Sequence, residues 1–158
     1  MRSAVLVPVP EADVAGGPWR GDQTGIPMHV TLLFPFVPPE RIDAEAQAAL
    51  RGLLEPVAPF DYVLGGVCAF PDGTTYLPPL PPEPFAGLVR AIARRWPEHP
   101  PYEGEHDTIV PHVTIPPEHV ELERLAALGT IAARAEEAWL MVEQPGGWAT
   151  RARFRFSG

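Results

Sequence analysis

Two histidines in this chain sit in the same local setting, His29-Val30-Thr31-Leu32 and His112-Val113-Thr114-Ile115. Imidazole exchanges a proton near neutrality, its unperturbed pKa being ~6.5, and a neighbouring hydroxyl can donate a hydrogen bond to an anion. Two such rings can take a proton from one oxygen and give one to another, which is what in-line attack at phosphorus requires. Thr31 and Thr114 would then donate to the non-bridging oxygens, where charge accumulates. On an extended strand His29 and Thr31 share one face while Val30 and Leu32 enter the other, and the second copy repeats this with His112 and Thr114 over Val113 and Ile115. A single His-x-Thr is ordinarily a packed or surface pair; its repetition makes His29 and His112 candidate catalytic residues and Thr31 and Thr114 candidate substrate-binding residues. Either histidine could serve as base or as acid.

The elements that must hold these residues repeat too. After the first motif, Pro38-Pro39-Glu40 precedes a helical stripe of Ile42, Ala46, Ala49, Leu50 and Leu53. The apolar run Tyr62 to Phe70, the turn Pro71-Asp72-Gly73 and the run Thr74 to Leu77 then read as a hairpin. After the second motif, Pro116-Pro117-Glu118 opens a helix carrying Leu122, Leu125, Ala126 and Leu128, with Gly129 placed to end it in a left-handed conformation. A strand at Ala138 to Glu143, the turn Pro145-Gly146-Gly147 and a strand from Trp148 to Phe156 follow. Alternation along that last strand predicts a basic face with Arg151, Arg153 and Arg155 and a largely apolar opposite face.

Between the copies, Pro81-Pro82-Glu83 precedes a third helix with Phe85, Leu88, Val89, Ile92 and Trp96 on one stripe, and Ala4 to Val7 reads as an N-terminal strand. No histidine motif precedes this third Pro-Pro-Glu, so the tripeptide marks helix starts and not chemistry. The expected fold is α+β, a bilobal and pseudo-symmetric arrangement of two duplicated strand-helix-hairpin units. Mostly antiparallel sheets would carry outer helices around a central cleft.

A length of 158 residues fits a single domain, 1–158, with two interleaved lobes. The 22 prolines and 14 glycines fall in short clusters between patterned segments and read as punctuation. All 12 basic residues are arginine and the formal net charge is −8, which disfavours a long polyanion and leaves a small phosphorylated nucleotide or an RNA terminus as the expected partner. Cys68, within Val67-Cys68-Ala69-Phe70, is expected as a buried reduced thiol. The apolar start is interrupted by Pro8 and followed by acidic residues, unlike a secretory signal, and no run of about 20 apolar residues suggests a membrane span. A cytoplasmic monomer is the expectation.

The paired His-x-Thr-aliphatic motifs, set about half a chain apart with matching elements after each, resemble the 2H phosphoesterases. That superfamily includes the 2′-5′ RNA ligase-like proteins and the 2′,3′-cyclic phosphodiesterases. The resemblance spans nearly the whole chain. It implies a bilobal fold with both motifs on central strands facing a shared groove, and metal-independent chemistry, without a cofactor, on 2′,3′-cyclic or 2′-5′ phosphodiesters. Many 2′-5′ RNA ligase-like members carry an arginine shortly after the second motif, where Pro116-Pro117-Glu118 stands here. The expectation therefore moves from ligation of long RNA toward hydrolysis of small cyclic phosphates or short RNA ends. The alternatives are a non-catalytic nucleotide- or RNA-end-binding module using the same groove, or 2′-5′ RNA ligase activity.

Other residues have competing readings. Phe34, Tyr76 and Trp148 could stack on a base or pack in the core, and Arg151 could meet phosphate or solvent. His99, His106 and His119 lie in proline-rich or polar surroundings and read as solvated. A zinc site from His106, Asp107 and His112 matches no familiar ligand spacing, so no metal is expected.

Overall fold

A computed structural model describes residues 1–15, 25–105, 109–116 and 122–158. Among them, ten strands form two sheets. The strands are β1 (Ser3–Pro8), β2 (His29–Leu33), β3 (Phe60–Leu64), β4 (Cys68–Ala69), β5 (Thr75–Leu77), β6 (Pro79–Leu80), β7 (Val113–Thr114), β8 (Ile131–Ala135), β9 (Glu137–Gln144) and β10 (Gly147–Arg155). The larger sheet runs β10-β9-β1-β2-β7-β5-β4 and the smaller β6-β3-β8, with every pairing antiparallel. The helices are α1 (Pro10–Ala15), α2 (Ala44–Leu54), α3 (Glu83–Arg95) and α4 (Leu122–Leu128). The mixed α+β class and the antiparallel sheets agree with the expectation.

The motif strands β2 and β7 are neighbours at the middle of the larger sheet. Val30, Leu32, Val113 and Ile115 are buried, as the alternation demands. Against β2 packs α3, through Phe85, Leu88, Val89 and Ile92, the stripe read from its spacing. Phe85 is in turn clasped edge-on by Phe60 and Tyr62 of β3, with ring centroids 5.1 and 5.0 Å away, so the smaller sheet closes over the helix. This single core anchors both motif strands from behind.

The two halves of the chain exchange their hairpins. The β4-β5 hairpin, which follows the first motif, docks beside β7 of the second; β9 and β10, which follow the second motif, dock beside β1 and hence the first. Across the smaller sheet β3 pairs with β8, one strand from each half.

Several local expectations are corrected. The first long helix begins at Ala44, not at Pro38-Pro39-Glu40. Asp43 is extended and its carboxylate accepts from the Ala46 amide at 2.8 Å, making it the N-cap, while Pro39–Arg41 forms a separate 3-10 turn. The run Tyr62 to Phe70 is not one strand. It breaks at Gly65, whose amide donates to the Pro78 carbonyl at 2.8 Å and where a Cβ would meet the Pro78 ring at 3.0 Å. The break sends β3 and β4 into different sheets.

Cys68 is exposed, not buried, because β4 is a two-residue edge strand paired on one side only. In β10 a bulge between Thr150 and Ala152 offsets the expected alternation, and Ala149, before the bulge, pairs with buried Val142. Strands β6 and β8 and helix α1 were not anticipated. Gly129 ends α4 with φ +74°, as expected, whereas Pro117, Glu118, His106, Asp107 and His119 lie outside the described residues.

Replacing Phe85 by Ala should lower unfolding free energy by about 3–5 kcal/mol. Asp43→Ala, which removes the cap of α2, should lower it by about 1 kcal/mol. Urea unfolding midpoints at unchanged slope check both.

Candidate active site

Val30 of β2 stands opposite Val113 of β7. Continuing that antiparallel register by one residue in each direction puts His29 beside Thr114 and Thr31 beside His112, all four on the face opposite the buried valines. The two imidazoles thus occupy diagonal corners of a four-residue patch, a placement that separates side-chain bases by about 7–8 Å. An anion seated on the patch meets a ring and a hydroxyl from each copy. His29, Thr31 and His112 are half-buried, and Thr114 is exposed.

Both rings are held by the same local contact. His29 Nδ1 lies 2.7 Å from the Pro27 carbonyl, and His112 Nδ1 lies 2.7 Å from the Val110 carbonyl. A carbonyl oxygen only accepts, so in each neutral ring the proton sits on Nδ1 and the lone pair on Nε2. Each Nε2 can then receive a proton and hand it back without the ring turning. The partner is a backbone atom two residues upstream in both copies, so this orientation belongs to the strand entry itself.

The surroundings of the two rings differ. Phe70 and Tyr76 stack at 4.0 Å, and both meet His112 edge to face, at 5.0 and 5.9 Å. Phe70 joins Pro71, Asp72, Thr74, Tyr102, Ile109 and Val110 around a groove of about 550 Å³ that opens at His112. On the β2 side, the Tyr102 amide donates to the Phe34 carbonyl at 2.6 Å, and burial pushes its phenol above the ordinary range, against a smaller lowering influence of Thr31. Phe34 lies 6.2 Å from Trp148, with the Arg2 guanidinium over its ring at 5.3 Å.

The structure therefore brings His29, Thr31, His112 and Thr114 together and puts Tyr76 beside them. Arg151 is turned elsewhere, donating to the Pro39 carbonyl at 2.7 Å, and Arg153 covers the Trp139 ring at 4.3 Å. Among the described residues, no cluster of three or more His, Cys, Asp or Glu side chains is placed to hold a metal. Sequence reasoning missed Phe70 and Tyr102. Phe70 left a faint signal, standing across the Pro71-Asp72-Gly73 turn from Tyr76, whereas Tyr102 sits in a proline-rich connection without any pattern.

Comparison with known proteins places this geometry in context. A family model described as the 2′-5′ RNA ligase superfamily matches residues 18–145. TT0787 of Thermus thermophilus is similar in structure, with 22% identity and a TM-score of 0.65 over 100% of this chain and 99% of that one. E. coli LigT complexed with 3′-AMP has 17% identity and a TM-score of 0.60 over 99% and 98% of the two chains. A crystal structure described as a phosphoesterase has 14% identity and a TM-score of 0.58, covering 99% of each chain. A search of curated proteins gave no match.

The shared ring contact makes a direct prediction. Nitrogen-15 NMR above the titration range should show the Nδ1-protonated tautomer for both His29 and His112; an Nε2-protonated ring at either position would contradict the carbonyl contacts.

Proposed function

This chain belongs to the 2′-5′ RNA ligase superfamily, and on that premise we propose that it is a metal-independent phosphodiesterase acting on 2′,3′-cyclic phosphates or 2′-5′ linkages of nucleotides or RNA ends. The observation that carries the reading is the patch at the β2–β7 pairing, where each copy contributes a ring, held at Nδ1 by a backbone carbonyl, beside a hydroxyl. Structures of LigT with 3′-AMP and with phosphate support a small nucleotide as the occupant.

In the cyclic reaction one imidazole accepts a proton from water as its oxygen bonds to phosphorus. The bond from phosphorus to one ribose oxygen breaks, and the other imidazole, protonated at the start, gives its proton to that oxygen. The product is a nucleoside monophosphate, and proton exchange with solvent resets the rings. Thr31 and Thr114 donate to the non-bridging oxygens, more strongly as charge builds there. Imidazoles on opposite corners suit this because entering and leaving oxygens lie on opposite sides of phosphorus. The sequence Ile115-Pro116, where many ligase-like relatives place an arginine soon afterwards, favours hydrolysis of small substrates over joining of long RNA. The net charge of −8 points the same way.

Incubation with nucleoside 2′,3′-cyclic phosphates in excess chelator should give monophosphates at the rate seen without chelator. The pH–rate profile should be bell-shaped, because one ring must be neutral and the other charged. His29→Ala and His112→Ala should each lose about 10²–10⁴-fold in kcat. Full activity in either variant, or inhibition by chelator, would reject the mechanism; tight binding without any product would instead identify a nucleotide-binding module.

A further inference from the structure

Phe70 is a half-buried aromatic ring beside the turn that joins β4 to β5, at the edge of the larger sheet. Tyr76 stacks on one of its faces, with centroids 4.0 Å apart and the planes inclined by 20°. The His112 centroid lies 5.0 Å from Phe70 and 5.9 Å from Tyr76, so the three centroids make nearly a right angle at Phe70. The imidazole therefore stands beside the stack, against its edges, and does not cover the second face of Phe70. Phe70 lines the groove at His112 and Tyr76 does not, so Tyr76 backs the ring and the opposite face borders the groove.

The backbone under this ring is fixed by the turn. The Phe70 amide donates to the Thr74 carbonyl and the Gly73 amide to the Phe70 carbonyl, both at 2.9 Å, while the Thr74 amide donates to the Asp72 carboxylate at 2.8 Å. Gly73 takes φ 92°, a conformation open to glycine and strained for other residues. Pro71, Ile109 and Val110 add apolar walls, and Val110 is 45% exposed. A volume of about 550 Å³ is that of a small-ligand site, lined here mainly by apolar groups and joined to the patch at His112.

Resting on the phosphodiesterase reading, we infer that Phe70 is the stacking platform for the substrate's nucleobase, which puts the nucleoside on the His112 side of the patch. Every base has a π-face, so such a platform holds a base without reading its edge. The substrate then has its phosphate between the motifs and one nucleoside in the groove. That is the composition of a nucleoside 2′,3′-cyclic phosphate, or of an RNA 3′ end that carries one.

The test compares two substrates in the same protein: adenosine 2′,3′-cyclic phosphate, and methyl riboside 2,3-cyclic phosphate, which keeps the sugar and the phosphate but has no base. The parent protein should favour the nucleotide in kcat/KM by about 10- to 100-fold, the range that base–aromatic stacking supplies. Phe70→Leu should bring that ratio close to one, and Phe70→Tyr, which keeps a ring, should preserve it. A disturbance of His112 or of the fold lowers both rates alike and cancels in the ratio. Equal kcat/KM for the two substrates in the parent, a ratio that survives Phe70→Leu, or its loss in Phe70→Tyr would overturn the platform and leave the phosphodiesterase standing. If the parent turns over neither substrate, the phosphodiesterase reading falls. Calorimetry with adenosine 2′-monophosphate and ribose 2-phosphate then decides the platform by itself: the base should raise affinity in the parent and not in Phe70→Leu, and equal affinities in the parent would overturn it.

Discussion

The pairing of two short strands at Val30 and Val113 is the constraint on which the rest depends. An antiparallel ladder exchanges the two strands about its central pair, so identical His-x-Thr segments in this register present a ring and a hydroxyl at each end of one patch. A slip of one residue would put a valine opposite a histidine and send one copy's chemistry into the core. What prevents the slip is apolar. Val30, Leu32, Val113 and Ile115 are all buried, and turning either strand over would expose two of them while burying an imidazole.

That pairing is reinforced by the exchange of hairpins. Because the hairpin after each motif docks beside the other motif, each half of the sheet is completed by the other half of the chain. The smaller sheet repeats the device, with β3 and β8 coming from different halves. Most contacts that hold the site are therefore long-range in sequence, and they converge on Phe85 of α3, which lies between the sheets with Phe60 and Tyr62 at its edges. The motif strands lie at the middle of the larger sheet, and the groove beside His112 is bordered by the turn at Pro71 and Asp72.

Equal backbones with unequal surroundings are what turn a repeat into a directed site. Both imidazoles take the same orientation from a carbonyl two residues upstream, so the strand entry alone sets that feature twice. Everything beyond it differs. His112 is framed by the Phe70–Tyr76 pair and faces the groove, whereas the β2 side receives Tyr102 from a distant connection. The two halves of this patch therefore have unlike surroundings.

Much of this was written in local pattern. Alternation gave the faces of the motif strands, spacing gave the buried stripe of α3, and Gly129 was marked as a helix end because only a residue without a side chain sits easily at φ +74°. Pattern failed where a local signal had two meanings. The apolar run Tyr62 to Phe70 looks continuous but is divided at Gly65, where Pro78 presses close, and Cys68 shares the apolar character of its neighbours yet lies on an exposed edge. Alternation along β10 was read without the bulge that offsets it. By itself, then, the sequence determined the chemical groups, their facing on each strand and the anchoring behind them, since these follow from dihedral periodicity and burial. Only the tertiary structure decided that the two segments lie in register side by side and that Phe70 and Tyr102 border them, because contacts between distant stretches depend on how whole elements pack and not on any local spacing.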